Sequence, residues 1–139
     1  MFVDASAILA ILLDEADGPK LASALQSAKR RKPVTSVLAA WEAAVGLNRK
    51  KGLPIEEAEA RILEFIETAG VDLVGVSAAE LSAALRAFDR YGRHRYPEAD
   101  RNKALNLADC FHYACAKARR MPILHQDAGL ALTDAPSVF

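Results

Sequence analysis

Residues 1–13 read MFVDASAILAILL, and they place a carboxylate, Asp4, among apolar side chains. Burying an unpaired carboxylate costs several kcal/mol or forces its pKa away from the ordinary range. Asp4 therefore either caps a local turn or is held at the edge of the core for a purpose. The first four residues, MFVD, are short, apolar and followed by a polar break. They suit a buried first strand whose last residue is Asp4. Ser6 is then placed to cap a helix through SAILAILLDE.

Outward from this stretch, apolar runs alternate between strand and helix character. GPKLASALQSA (18–28) predicts a second helix ending in the cations Lys29, Arg30, Arg31 and Lys32. Cations near a helix C-terminus are favoured by the dipole, and contact with RNA is the other use of such a run. PVTS (33–36) predicts a short strand leading into SVLAAWEAAVGLNRKKG (36–52). There Val37, Trp41 and Val45 fall at helical spacing, Trp41 reads as a core anchor, and Gly52 marks the stop. LPIEEAEARILEFIETAG (53–70) predicts an amphipathic helix with Ile55, Ala58, Ile62, Phe65 and Ile66 on one face. VDLVGV (71–76) is a strand, and Ser77 and Glu80 stand in capping-box spacing before the helix SAAELSAALRAFDRYG (77–92). RHRYPEADRNKA (93–104) has no periodicity and reads as a loop. LNLADCFHYACAKARRM (105–121) is a helix opened by Asn106, PILH (122–125) a strand, and QDAGLALTDAPSVF (126–139) turn-rich with an edge strand at its end. This alternation points to a mostly parallel sheet with helices on both faces.

The 139 residues fit a single domain, 1–139, long enough for a real core. Lysine plus arginine equals aspartate plus glutamate, 18 against 18, so nucleic-acid binding has to rest on a local patch rather than a global field. The N-terminal stretch lacks the basic start of a secretory signal, and no apolar run reaches the ~20 residues a membrane span needs. Cys110 and Cys115 lie five apart in one helix, on different faces. A reduced, cytoplasmic protein is expected.

The chemistry concentrates in acids. In open parallel sheets, ligands bind beyond the carboxyl ends of the strands. Asp4 ends the first strand, and Asp127 follows the PILH strand closely. Glu42 lies about two turns into the helix after the second strand, and Asp109 in the first turn of the late helix. Four chain segments thus bring carboxylates to one sheet edge. Carboxylates so gathered repel one another and call for a counter-charge. Hard oxygen ligands of this kind suit Mg²⁺ or Mn²⁺, which also bind phosphate oxygens. Each acid has a plainer use as well: Asp109 stands three after Asn106 as a helix-capping residue, Asp4 holds a turn, and Glu42 and Asp127 face solvent. His94, His112 and His125 are scattered, and His112, inside a helix, reads as a packed or surface histidine. Nucleotide-loop, zincin and serine-hydrolase motifs are lacking.

MFVDASAILAIL, TSVLAAWEAAVGL, LNLADCFHYACAKARRMPIL and ALTD, in this order and nearly end to end, resemble the PIN-domain ribonucleases of the VapC toxin type. The resemblance implies a three-layer α/β/α sandwich around a mostly parallel sheet of about five strands. It implies a Mg²⁺- or Mn²⁺-dependent endoribonuclease that leaves a 5′-phosphate and a 3′-hydroxyl, an RNA substrate, a homodimer and a cognate antitoxin partner. Asp4, Glu42 and Asp109 match the family's catalytic and metal-holding acids, with Ser6 in support. The family pattern after the fourth strand resembles K-G-[ND]-D-F-A-x-T-D, whereas here the stretch is HQDAGLALTD (125–134). The family's acid falls on Gly129 and its aromatic on Leu130. Either the loop is rebuilt so that Asp127 supplies the fourth metal ligand, with Gly129 taking positive φ to swing it inward, or the fourth ligand is missing. The second case describes a PIN fold weakened in catalysis that docks a partner or RNA. Arg93, Arg95 and Arg101, in the stretch from Arg90 to Lys103 that also holds Tyr91 and Tyr96, are the candidate RNA or partner contacts.

Overall fold

The computed structural model describes residues 1–28 and 30–139. Lys29, part of the cationic run, lies outside the described residues. Four parallel strands, Phe2–Val3 (β1), Val34–Ser36 (β2), Asp72–Val74 (β3) and Ile123–Leu124 (β4), lie in the order β3-β2-β1-β4. Phe2 pairs with Val34 on one side and with Ile123 on the other. Beyond β4, Ile123 makes one parallel bridge to Ser137. Its amide donates to Pro136 O at 2.8 Å, and its carbonyl accepts from the Val138 amide at 3.0 Å. The expected sheet of about five strands is thus four strands with a fifth position held by a single bridge.

Successive strand residues point to opposite faces, and here that rule divides the core in two. Phe2 and Ile123 pack into one cluster with Ala84, Ala87, Cys110 and Ala114. Val3 and Leu124 pack into the other with Ile8, Leu21, Ala43, Ile62 and Val71. The first cluster is covered by the helices Leu81–Tyr91 and Leu107–Ala118. The second is covered by Ala5–Leu12, Gly18–Gln26, Val37–Lys51 and Ile55–Thr68. In chain order these are α1 (5–12), α2 (18–26), α3 (37–51), α4 (55–68), α5 (81–91) and α6 (107–118). The result is the expected three-layer α/β/α sandwich. Among the described residues no helix is long and apolar enough to cross a membrane.

Local signals explain most boundaries. Gly52 ends α3 in the left-handed region, φ 66°, where a residue without Cβ is unstrained. Ser77 and Glu80 form the expected capping box at the turn before α5. Three expectations need correction. α1 is capped by Asp4, whose side chain accepts from the Ser6 amide, so Ser6 stands inside the first turn rather than at the cap. α2 ends at Gln26, ahead of the cationic run. Trp41 is not a core anchor: it is 63% exposed, and Val37 is exposed with it. The buried stripe of α3 is Ala39, Ala43 and Leu47. Helical spacing identifies a face but not its direction. The inward face here needs small side chains, since a Cβ on Gly46 would meet Leu9 Cδ1 at 2.5 Å.

The C-terminal segment is fastened by Asp134. Its Oδ1 accepts from Tyr113 Oη at 2.6 Å and Tyr91 Oη at 3.3 Å, while Oδ2 pairs with Lys117 Nζ at 3.2 Å. The Tyr113 hydrogen bond is foremost in holding the Asp134 carboxyl below its ordinary range. Replacing Asp134 with Ala is expected to lower stability by about 1–2 kcal/mol in urea unfolding. Faster hydrogen exchange at the Val138 amide should accompany that loss, with exchange at the β2 amides unchanged.

Candidate acidic active site

The chain runs from β1 through β2 to β3 in one direction, then crosses back to place β4 on the other flank of β1. The reversal leaves a crevice beyond the ends of β1 and β4, where open parallel sheets bind ligands. Asp4 leaves β1 at that point and is only 3% exposed. Its Oδ2 accepts from the Ser6 amide at 2.9 Å and from Ser6 Oγ at 2.5 Å. Ser6 Oγ in turn accepts from the Gln126 amide at 2.9 Å. One hydroxyl therefore fixes Asp4 and ties the loop after β4 to the end of β1. Asp4 Oδ1 is buried and has no hydrogen-bond partner among the described residues.

Asp109 occupies the first turn of α6 in a reciprocal capping box. Its carboxylate accepts from the Asn106 amide, and its own amide donates to Asn106 Oδ1, both at 2.9 Å. The plain and the functional expectations for this residue thus hold together in one place. Burial pushes its carboxyl up to about 7, and the charges of Asp127 and Asp4 add to the rise. The Asn106 hydrogen bond and the nearby His112 work in the opposite direction. Asp109 is therefore within electrostatic reach of both Asp127 and Asp4.

Asp127 is half-buried, and its Oδ1 accepts from the Leu130 amide at 2.8 Å. Gly129 does not take positive φ: its backbone is right-handed helical, φ −70° and ψ −46°. The residue is small for a different reason. A Cβ there would meet Lys103 O at 2.9 Å and Asp127 Oδ1 at 3.0 Å. The loop runs so close to the Lys103 carbonyl and the Leu105 side chain that an acid at 129 would force a shift, and Asp127 Oδ1 lies against the position its Cβ would take.

Glu42 reaches the crevice from α3 but does not face Asp4 directly. His112 stands between them, fully buried, its Nε2 2.6 Å from Glu42 Oε2 and 3.6 Å from Asp4 Oδ1. Burial works against the charged imidazolium. The Glu42 hydrogen bond and the charges of Asp4, Glu42 and Asp109 outweigh it, so the net direction is upward. His112 is thus not a bystander, which the sequence reading had missed. The available signal was its spacing of three from Asp109, which puts both on one helical face.

Among the described residues no three His, Cys, Asp or Glu side chains stand close enough to form one ion's ligand set. The donor chemistry nevertheless fits a hard divalent cation: all the acids offer oxygen, Asp4 Oδ1 is buried without a partner, and beyond the effect of burial the charges of Asp127 and Asp4 oppose ionisation of Asp109. The candidate cations of the 93–103 segment lie elsewhere. Arg95 pairs with Asp89 at 3.1 Å. Arg93 and Arg101 line a groove of ≈ 660 Å³ with Phe88, Leu107 and Asn106.

A family model described as PIN domain matches residues 1–136. The chain belongs to the PIN-domain family. Within it, the chain is 36% identical over 141 residues to a protein named Ribonuclease VapC from Mycolicibacterium smegmatis, covering 99% of each. It is 32% identical over 139 residues to Ribonuclease VapC30 from Mycobacterium tuberculosis, covering 99% of this chain and 98% of that one. These relatives place it among the VapC ribonucleases. A solved structure described as the Mycobacterium tuberculosis VapC20 Sarcin-Ricin loop cleaving toxin shares the fold, with TM-score 0.69, 19% identity and coverage of 99% and 97%.

The raised Asp109 carboxyl gives a pH prediction. A carboxyl whose folded pKa lies above its unfolded value is tolerated at low pH and costs stability as it ionises. The metal-free protein should therefore lose stability between about pH 4 and about pH 7. Asp109→Asn keeps the capping acceptor and removes the charge. It is expected to raise the melting temperature by several degrees at pH 8 and to change it little at pH 4. Equal shifts at both pH values would contradict the assignment.

Proposed function

We propose that this protein is a Mg²⁺- or Mn²⁺-dependent endoribonuclease and the toxin of a toxin–antitoxin pair. The observation that carries the reading is the buried, unpartnered Asp4 Oδ1 at the topological switch point, with Asp109 in electrostatic reach of both Asp4 and Asp127. Asp4 and Asp109 would hold the ion, and Asp127, beside Gly129, would add its charge to the site without being a third ligand in this arrangement. When bound, such an ion polarises the scissile phosphate and offsets the charge that builds on it. Ser6 keeps the Asp4 carboxylate turned toward the crevice. Glu42, half-buried at the mouth, is the group placed to take a proton from the attacking water. Names of the relatives as ribonucleases support the reaction class.

Two surfaces support the proposed partners. A groove of ≈ 690 Å³ lined by Ile11, Leu12, Leu25 and Phe65, with Arg61 and Glu64 at its polar side, would take the apolar face of an antitoxin helix. Large apolar side chains are exposed on α3, on α5 and at the start of α6, among them Trp41, Leu85, Phe88 and Leu107, the last 76% exposed. Monomers rarely leave such a patch open, and a second copy of the chain is its proposed cover. Arg93 and Arg101 beside Phe88 would then meet RNA or partner at the edge of that face.

A weakened binding module is the competing reading, and the missing acid at 129 is the feature that favours it. Cleavage of RNA by pure protein separates the two. Wild type is expected to cleave in Mn²⁺ and to stop on chelation. Asp4→Asn should lose cleavage by orders of magnitude while keeping its fold by circular dichroism. Asp127→Asn should loosen Mn²⁺ binding, and Gly129→Asp should not tighten it, because the added side chain displaces the loop. Wild-type protein that cleaves equally well in chelator would end the metal-dependent reading.

A further inference from the structure

His112 is a buried ionisable side chain at the site to which the mechanism above gives no task. Its ring is fully buried and tilted 33° against Phe2, with centroids 5.7 Å apart. Nδ1 has no hydrogen-bond partner among the described residues. Nε2 lies 2.6 Å from Glu42 Oε2 and 3.6 Å from Asp4 Oδ1.

The chemistry of the pair settles the direction of that bond. An ionised carboxylate only accepts, so Nε2 must carry the hydrogen. Glu42 takes that hydrogen at 2.6 Å, and Asp4 Oδ1, at 3.6 Å, lies beyond hydrogen-bond distance and is left without a donor. Asp4 Oδ2 is already committed to Ser6. Asp4 therefore presents one free buried oxygen, while one oxygen of Glu42 is held. A charge-assisted bond of this length restrains a glutamate that is otherwise half-buried at the helix surface.

We infer that His112 is the positioning residue of this site: it holds the Glu42 carboxylate back from the point that Asp4, Asp109 and Asp127 face, so that Glu42 acts through water and Asp4 keeps an oxygen free for the ion. The inference rests on the metal-dependent reading above. It separates acids that hold the ion from one that handles water, and it makes that division depend on a side chain that touches neither RNA nor ion. Loss of an outer partner typically costs about 10- to 100-fold in metal affinity or activity. Because His112 withholds a ligand instead of orienting one, its loss should act at a similar scale with the opposite sign.

The test uses the full chain and Mn²⁺ as the probe. In metal-free protein, nitrogen NMR should show a protonated Nε2 on His112 whose signal moves in Glu42→Gln. Calorimetry gives the Mn²⁺ dissociation constant, and water-proton relaxation gives the number of waters on the bound ion. Glu42→Gln alone is expected to change affinity by less than about threefold. His112→Leu fills the volume but frees Glu42, and it should tighten Mn²⁺ by about tenfold with loss of a bound water. His112→Leu with Glu42→Gln should return to the wild-type value. His112→Gln, which can present an N–H, should restore most of the wild-type affinity and water count. The inference is overturned if Glu42→Gln alone loosens Mn²⁺ by about tenfold, or if His112→Leu moves neither readout. Should His112→Leu fail to fold, an unprotonated Nε2, or one indifferent to Glu42→Gln, overturns it. Asp4→Asn separates the two levels. Lost Mn²⁺ binding there with silent His112 variants removes only this inference, whereas a wild type that takes up no Mn²⁺ removes the metal-dependent reading and the inference together.

Discussion

The Asp4 carboxylate, buried where the central strand ends, is the constraint on which the rest of the site depends. Its cost is met on one side only. Oδ2 is satisfied by the amide and hydroxyl of Ser6, two residues on, while Oδ1 has no donor. A buried oxygen left in this state is expensive, and the fold carries it at the one place where strand order reverses. Ser6 makes the arrangement rigid, because the same hydroxyl holds the Gln126 amide. Movement of the loop after β4 would disturb Asp4, and through that loop Asp127.

The acids of this crevice are also structural parts. Asp4 caps α1, Asp109 closes the capping box of α6, and Asp127 holds the turn that begins at Leu130. Each backbone contact fixes the direction of a side chain without a partner of opposite charge. Carboxylates that would repel one another are thereby kept in place by N–H groups. Asp109 is the clearest case: burial and its acidic neighbours push its carboxyl upward, and the Asn106 amide opposes them. Preorganisation of this kind lets neighbouring carboxylates stay in place through backbone contacts alone.

Much of this was legible in the residues. Short apolar strands, capping pairs and the alternation of periods gave the layers, and Asp4, Asp109 and Asp127 were placed at one edge by chain order alone. What failed had a common cause, since each failure required distances between segments far apart in sequence. Trp41 reads as a core anchor from its helical spacing with Val37 and Val45, while the buried face of α3 is the stripe of Ala39, Ala43 and Leu47. Gly129 was read through conformational freedom, but the Lys103 carbonyl excludes a side chain there. His112 carried a local hint in its spacing from Asp109, yet its meeting with Glu42, seventy positions away, belongs to the tertiary fold.

Asp4 and Asp109, with Asp127 beside them, are proposed to meet a cation beyond the ends of β1 and β4. Anomalous diffraction from crystals grown in Mn²⁺ near neutral pH addresses that claim most directly. It predicts an anomalous peak in the crevice, bonded to Asp4 Oδ1 and to Asp109, with His112 Nε2 still on Glu42. A peak absent from the crevice while Asp4 Oδ1 stays unpartnered, or Mn²⁺ seated only on other acids of the surface, would contradict it.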